Sequence, residues 1–276
     1  MNKTNITPTA RNPGISLALC SHPMSTPEKP ETSMTKLFKS ATQVAKDKGI
    51  AMARKTKSQK GSLEKIFKER ILEIGVSIKN IGNLMNDLIL SSIYEHLYRG
   101  ATTRDDDFHI MTFCNSGEKG LEARSVVLRS FDKDNNILFF HTDYRSPKVD
   151  MIKKNAESLC LFYSFSLKTQ LRIRTISSIH HNDDISNTSW EKVGLSSRKC
   201  YLTKYSPSSK IETCDDGLPK ELKGKNPSLK ESEEGKKNFC VVSNKIKEID
   251  YLYLKSSGHE RIAFDVPSGN FNWLAP

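Results

Sequence analysis

The feature that most constrains the fold is a succession of short apolar runs that begins near Phe108 and continues almost to the C-terminus. The runs are rich in β-branched and aromatic residues, and turns such as NSGEKG and DKDNN separate them. They read FHIMTFC, RSVVLRSF, ILFFHT, SLCLFYSF, QLRIRTISSI, FCVVSNKI, EIDYLYLK and ERIAFDV. Around eight antiparallel strands with few helices predict a mainly β protein that closes into a barrel.

Helices are predicted in three places. Between residues 62 and 98, apolar residues recur at helical spacing, which indicates one or two amphipathic helices with a break near Gly75 and Gly82. The segment SPKVDMIKKN predicts a short helix with Ser146 as its N-cap and Pro147 at its first position. The segment SNTSWEKVGLSSRKCYL is a further helical candidate.

The positive charge is unevenly distributed along the chain. The net charge is +11, but residues 1–75 hold 14 Lys and Arg against 6 Asp and Glu, whereas the remaining 201 residues carry only +3. We therefore expect a basic tail at 1–61 that is disordered or partly helical, followed by a barrel domain at 62–276. A polar connection is expected at 206–237. The location of the charge argues against nucleic-acid binding by the barrel itself.

Several classes of protein are disfavoured by what the sequence lacks. Its six cysteines are scattered, without a CxxC pair or a Cys/His cluster of zinc spacing, so neither a disulfide framework nor a structural metal is expected. His180 and His181 are adjacent on a predicted strand and should point to opposite faces, so no shared metal is expected. No apolar run approaches the ~20 residues that span a bilayer. We expect a soluble cytoplasmic protein, with organelle targeting by the tail left open.

A polar turn follows the apolar run ILFF and suggests an anion site. The turn HTDYRSPK brings together Thr142, Arg145, Ser146 and Lys148, and the strand RSVVLR adds Arg124. Guanidinium, ammonium and hydroxyl groups together with the amides of a helix N-terminus are the groups that bind phosphate. The sequence therefore predicts a site for a phosphorylated ligand, although each charge taken alone is equally typical of a solvated surface.

The strand TQLRIR adds an amide to this set. Alternation places Gln170, Arg172 and Arg174 on one face of the strand. A glutamine amide both donates and accepts hydrogen bonds, which suits the edge of a flavin or a nucleobase. A solvated strand face is the alternative interpretation of the same pattern.

Taken in order, RSVVLR, LFFHTDYRSPK, LCLFYS, TQLRIR, GHERIAF and a terminal LAP resemble the pyridoxamine 5'-phosphate oxidase family of FMN-binding split barrels. The segments DGLP, NFCVV and IDYLYLKSSGHER are more similar to its branch of uncharacterised relatives. The resemblance extends from about Leu84 to Pro276. It implies an antiparallel split β-barrel of the Greek-key type, FMN as the cofactor, and a homodimer with FMN at the subunit interface.

The resemblance also implies roles for individual residues. Arg124 and Lys148 would hold the flavin phosphate, and Arg261 would complete the site from the partner chain. Arg129 and His259 would contact the substrate. The cofactor-binding residues expected from the turn and the resemblance together are Arg124, Val126, Val127, Leu128, Arg129, His141, Thr142, Arg145, Ser146, Lys148, Gln170 and Arg261.

The sequence departs from the oxidases at several positions. Ser257 stands where the oxidases have an arginine over the pyridoxal ring, and Leu254 stands roughly where they have a tryptophan beside the flavin. The segment WEKVGLSSRKCY replaces the region that binds the substrate phosphate. We therefore expect an FMN-dependent oxidoreductase whose small-molecule substrate is open. A non-catalytic protein that stores, senses or shuttles flavin is the alternative, and a nucleic-acid-binding barrel is less favoured.

Overall fold

The computed structural model of the protein describes residues 78–118 and 120–276. Its helices are α1 (Ile78–Thr102), α2 (Pro147–Lys154), α3 (Asp184–Lys192), α4 (Leu195–Arg198) and α5 (Leu229–Glu233). Its strands are β1 (Ile110–Gly117), β2 (Gly120–Val127), β3 (Ser130–Asp132), β4 (Ile137–Asp143), β5 (Glu157–Ser164), β6 (Thr169–His180), β7 (Phe239–Tyr253), β8 (Glu260–Asp265) and β9 (Asn270–Leu274). None of the helices in this part of the chain is long and apolar enough to cross a membrane.

All nine strands belong to one antiparallel sheet. The strands follow the order β2-β1-β5-β6-β7-β4-β3, and the hairpin β8-β9 pairs with the C-terminal half of β7. After β2 the chain crosses to β4, where the amide of Arg129 donates to the carbonyl of Phe139 at 2.8 Å. The prediction of a mainly antiparallel β protein with flanking helices is confirmed.

The structure differs from the sequence prediction at two strands, β7 and β9. The runs FCVVSNKI and EIDYLYLK form one strand of 15 residues, and β9 was not predicted. Arg174 pairs with Glu248 while Thr175 pairs with Ile246, so Lys247 is an extra residue at a β-bulge. The polar interruption in the sequence therefore marks a bulge, and β7 can pair with β4 along one half and with β8 along the other.

Inward-facing residues of the strands form the main core. Met111, Phe113, Leu138 and Phe140 are completely buried there. Helix α1 packs against this core through Leu97, and its C-terminal end approaches the sheet closely. At ~25 cal/mol per Å² of buried apolar surface, such side chains each contribute about 1.5 to 3 kcal/mol.

Helix α1 is continuous through Gly82, so the break predicted there is wrong. A glycine within a helix costs about 1 kcal/mol relative to alanine, which a helix of 25 residues tolerates. The predicted break at Gly75, the N-cap at Ser62 and the boundary between residues 61 and 62 lie outside the described residues. That division of the chain stays a prediction.

A second core cluster covers the outer face of β4 and β7. It contains Trp190, Tyr201, Phe239 and Val241, and the rings of Trp190 and Phe239 lie 5.1 Å apart. Helix α3, which carries Trp190, covers this cluster. The polar connection 206–237 runs beside this cluster and contains only short helical turns and α5.

Candidate functional site

Three side chains from the predicted polar turn lie together at the end of β4. The ammonium group of Lys148 donates to the hydroxyl oxygens of Thr142 at 2.9 Å and Ser146 at 2.7 Å. Both hydroxyl-bearing residues are buried. With Arg124, these residues are called the Lys148 cluster below.

The local sequence explains how the cluster forms. Thr142 is on β4 and pairs with the buried Cys240, so its side chain faces the barrel interior. Ser146 is the N-cap of α2, and Pro147 occupies the first turn, as predicted. The hydroxyl of Ser146 makes no capping bond to the helix backbone. It accepts from Lys148 instead, which leaves the first backbone amides of α2 without a side-chain cap.

Arg124 reaches the same end of the barrel from β2. It pairs with Phe113 across β1 and therefore faces the interior side of the sheet. Its Nη2 atom lies 4.0 Å from the sulfur of Met151, which is on α2 one turn beyond Lys148. Burial lowers the pKa of Lys148, and the positive charge of Arg124 lowers it further. The fold thus brings two cations close enough to repel each other.

The Lys148 cluster has the properties of an incomplete anion site. Within the described part of the chain, no carboxylate lies within ion-pair distance of Lys148, whose hydrogen-bond acceptors are both neutral. Asn115, 3% exposed, accepts from Arg124 through its Oδ1 atom, while its Nδ2 atom is buried and has no partner among the described residues. A phosphate dianion would compensate the charge of Lys148, which has no carboxylate partner among the described residues, and would offer an acceptor to the buried Nδ2 atom of Asn115. The residues present therefore fit the phosphate end of FMN.

Arg145 is occupied by its own neighbours. Its guanidinium group forms a two-point ion pair with Asp143, at 3.0 and 2.7 Å, and also donates to the carbonyl of Thr203 at 3.0 Å. The hydrogen bonds to Asp143 and its negative charge raise the pKa of Arg145. The contacts tie the turn to the connection that follows α4, and the predicted role of Arg145 in phosphate binding stays a prediction.

His141 and Arg129 form a separate group on the outer face of β4. The ring of His141 packs edge-on against Phe239, with ring centroids 4.9 Å apart. Burial, together with the nearby charge of Arg129, lowers the pKa of His141 to about 4. Tyr201 also lies within the electrostatic reach of Arg129, and burial raises its pKa strongly. Strand alternation thus separates His141 from Thr142, because adjacent side chains point to opposite faces.

Of the three expected cofactor-binding residues at the end of β2, two have inward-facing side chains and one has an outward-facing side chain. Val126 packs against the main core and Leu128 is completely buried, whereas Val127 alternates to the outer face and pairs with the exposed Ile110. This outer face is the same one that carries Gln170 on β6.

Gln170 and Arg261 lie in one row across the outer face of the sheet. Gln170 pairs with Leu252 on β7, and Leu252 pairs with Arg261 on β8. Two strand spacings therefore separate them, or about 10 Å. The Gln170 amide makes no hydrogen bond within the described residues, whereas Arg261 donates to Asp250 at 3.0 and 2.7 Å. Among the described residues, no hydrogen bond or ion pair joins this row to the Lys148 cluster.

The remaining expected residues lie apart from these groups. His259 and Ser257 are exposed in the turn between β7 and β8, and Leu254 is half-buried at its start. Arg198 is buried against the ring of Trp190, with its guanidinium carbon 4.5 Å from the ring centroid, and bonds to Glu233. It holds the second core cluster together and does not point to a substrate.

The two adjacent histidines have unrelated partners. His180 bonds to Asp183 and Ser243, each at 2.9 Å, whereas His181 stacks on Tyr144 with ring centroids 3.6 Å apart. In the described ranges, 78–118 and 120–276, no group of His, Cys, Asp and Glu side chains is arranged to hold a metal ion.

Two residues at the site were not anticipated. Asn115 on β1 and Glu122 on β2 both contact Arg124. Glu122 precedes Arg124 by two positions on the same strand, so alternation could have placed both side chains on one face. The pairing of Asn115 with that strand depends on the hairpin register and could not be read from residue types alone.

The fold is an antiparallel split β-barrel with flanking helices, and the Lys148 cluster at its end has the chemistry of a phosphate site. Residues 90–181 match the family model of the pyridoxamine 5'-phosphate oxidase FMN-binding domain. The predicted resemblance of the chain to this family is therefore confirmed over residues 90–181. Its placement in the uncharacterised branch stays a prediction.

Solved structures support the same fold. A pyridoxamine 5'-phosphate oxidase-related, FMN-binding protein from Nostoc punctiforme PCC 73102 is similar to 67% of this chain over 96% of its own length, with a TM-score of 0.54 and 19% identity. PhzG from Burkholderia lata 383, solved with tetrahydrophenazine-1-carboxylic acid, is similar to 68% of this chain over 92% of its own length, with a TM-score of 0.50 and 14% identity. At these identities the likeness shows the fold alone. No curated protein sequence matches the chain.

Proposed function

We propose that this protein binds FMN and acts as an FMN-dependent oxidoreductase on a small molecule. The observation that carries the proposal is the Lys148 cluster, in which two cations and two buried hydroxyls converge at the end of the barrel, next to the Nδ2 atom of Asn115, which has no partner among the described residues. A phosphate monoester is the ligand that this combination suits. The match of residues 90–181 to an FMN-binding domain family supports flavin as the rest of the ligand.

The residues divide the binding of FMN into two tasks. Arg124 and Lys148 would bind the phosphate by charge, and Thr142 and Ser146 would orient it through their hydroxyl groups. The backbone of 126–128 would lie along the flavin ring, and Gln170 would bond to its polar edge. When bound, FMN would supply the redox chemistry as a hydride acceptor, while the protein supplies binding and orientation.

The separation of the two residue sets supports a homodimer as the functional unit. Arg261 and Gln170 lie on the outer face of the sheet, whereas the Lys148 cluster lies at its interior end. A flavin that contacts both sets would have to extend between them, and a second copy of the chain could bring its own Arg261 to the site. The exposed side chains of Tyr163 and Ile110 on this face are suited to such an interface.

Arg129 and His141 would contact the substrate, and His259 would contact it in the proposed dimer. Because its pKa is about 4, His141 is uncharged at neutral pH. It can donate or accept a hydrogen bond there without adding to the charge of Arg129. An exposed guanidinium beside a neutral imidazole is suited to a small phosphorylated or heterocyclic molecule.

The absorption spectrum tests the proposal directly. Protein incubated with FMN and freed of excess ligand should be yellow, and denaturation should release FMN. Anaerobic bleaching by a candidate amine such as pyridoxamine 5'-phosphate, with recovery in air, would identify an oxidase. Folded protein that stays colourless after incubation with FMN would overturn flavin binding.

A non-catalytic role in storing, sensing or shuttling flavin is the second candidate. The ion pair between Arg124 and Glu122 favours it, because a carboxylate in the phosphate site opposes permanent retention of FMN. Flavin that binds but is bleached neither by candidate amines nor by reduced nicotinamides would support this role.

A further inference from the structure

We propose that Glu122 competes with the phosphate of FMN for Arg124, so that FMN is an exchangeable ligand of this protein. The inference rests on the proposed FMN site and adds a residue that controls how long the flavin stays bound. Its basis is a contact at the Lys148 cluster: the Nη2 atom of Arg124 donates to the Oε2 atom of Glu122 at 2.8 Å.

Both Nη atoms of Arg124 already donate to acceptors of the protein. Its Nη1 atom donates to the Oδ1 atom of Asn115 and lies 3.4 Å from the carbonyl oxygen of Phe113. Its Nη2 atom is held by Glu122. A fork of two parallel bonds from a guanidinium to a phosphate needs two of its nitrogen donors. Both forks that a guanidinium can offer, Nη1 with Nη2 and Nε with Nη2, include the Nη2 atom, so a phosphate that binds Arg124 in this way competes with Glu122 for that atom.

Glu122 is the partner of Arg124 that can leave. Its side chain is 39% exposed, whereas Asn115 is 3% exposed and fixed within the barrel end. A released carboxylate regains its hydration by rotating into solvent. Lys148 differs from Arg124 in this respect, because both of its acceptors are hydroxyl groups, which can turn to donate to an incoming anion.

Competition of this kind lowers affinity without removing the site. When only a fraction of the protein has Arg124 free, the apparent dissociation constant rises in inverse proportion to that fraction. After binding, the negative charge of Glu122 remains near the phosphate and repels it, which accelerates release. Since the ion pair is partly exposed, we expect the combined effect on FMN affinity to be about two- to fivefold.

The test compares Glu122→Gln with wild-type protein in titrations of the full chain with FMN and with riboflavin, which lacks the phosphate. We expect the substitution to lower the dissociation constant and the dissociation rate of FMN by about two- to fivefold, and to leave riboflavin binding unchanged. Glu118→Gln is the matched control. It removes the same charge from the adjacent turn, where Glu118 pairs with Lys154 of α2 and does not contact Arg124.

The outcomes separate this inference from the proposed function. FMN binding by wild-type protein with no change in Glu122→Gln and Glu122→Ala would overturn the inference alone. So would an equal change for FMN and riboflavin, since that would indicate an effect on the barrel and not on the phosphate. Folded wild-type protein that binds no FMN would overturn both proposals.

Discussion

The ammonium group of Lys148 donates to the hydroxyl of Ser146, the N-cap residue of the helix that carries Lys148, at 2.7 Å. A serine at this position ordinarily caps the helix by accepting from a backbone amide. Here the serine hydroxyl accepts a hydrogen bond from the lysine. The helix therefore lacks a side-chain cap, which would stabilise it by ~1 kcal/mol. A local departure from the most stable arrangement is expected where residues are arranged for ligand binding.

Replacing both cations of the Lys148 cluster should strongly weaken FMN binding. Each charge-assisted contact to a phosphate is worth about 1.5 to 3 kcal/mol, so Arg124→Ala with Lys148→Ala should raise the dissociation constant at least a hundredfold. Flavin fluorescence titration measures the change. Lys153→Ala is the matched control, because Lys153 is on the same helix but bonds to Tyr144. Unchanged FMN affinity in the double variant would mean that the phosphate binds elsewhere.

The stability of the protein should depend on His141 in mild acid. Its pKa is about 4 in the folded chain against an ordinary value of 6.5, so the unfolded chain binds a proton first as the pH falls. The stability contributed by the neutral ring is present above pH 6.5 and is lost as the pH falls through 4. The difference between the two pKa values of His141 corresponds to a loss of up to about 3 kcal/mol in the free energy of unfolding. His141→Phe should flatten the dependence of the unfolding free energy on pH between 6.5 and 4. Urea denaturation at several pH values would measure this dependence. An unaltered slope would contradict a buried neutral imidazole.

Asp250 should stabilise the outer face of the sheet. Burial raises its pKa, but hydrogen bonds from Arg261 and Arg172 outweigh that effect and hold the pKa below its ordinary value. The stability is therefore present above pH 3.8 and is lost as the pH falls further. Because both arginines are partly exposed, we expect Asp250→Asn to cost about 1 to 3 kcal/mol at pH 7, with a smaller difference at pH 3. Equal costs at both pH values would show that charge is not involved.

Asp183 should control the stability of α3. Its Oδ1 atom accepts from the amide of Ser186 in a capping box, while its Oδ2 atom binds His180. Asp183→Ala should lower the unfolding free energy by about 1 to 2 kcal/mol, and thermal denaturation would measure it. Asp184→Ala, which removes a neighbouring carboxylate from the first turn, should cost less. A larger loss in the Asp184 variant would assign the effect to the helix dipole and not to the cap.

Local patterns predicted the parts of the site that are near each other in sequence. Thr142, Ser146 and Lys148 lie within one turn, and the Ser-Pro pair marks the start of α2, so residue types alone indicated their proximity. The order of motifs indicated Arg124 as a further member. The partners Asn115 and Glu122 were missed because β-strand patterns give the face of a side chain but not its neighbour across the hairpin.

The sequence by itself determined the strand-rich architecture, the short helix after β4 and the polar character of the turn, because apolar period, turn residues and caps act over a few positions. Only the tertiary structure decided that two segments form the single bulged strand β7 and that the side chains of His141 and Thr142 lie on different faces of the sheet. It also decided that Arg145 is bound by Asp143 and Thr203. These outcomes depend on strand register and on contacts between distant segments. Their energies are set by packing and by competition among acceptors, which residue types do not specify.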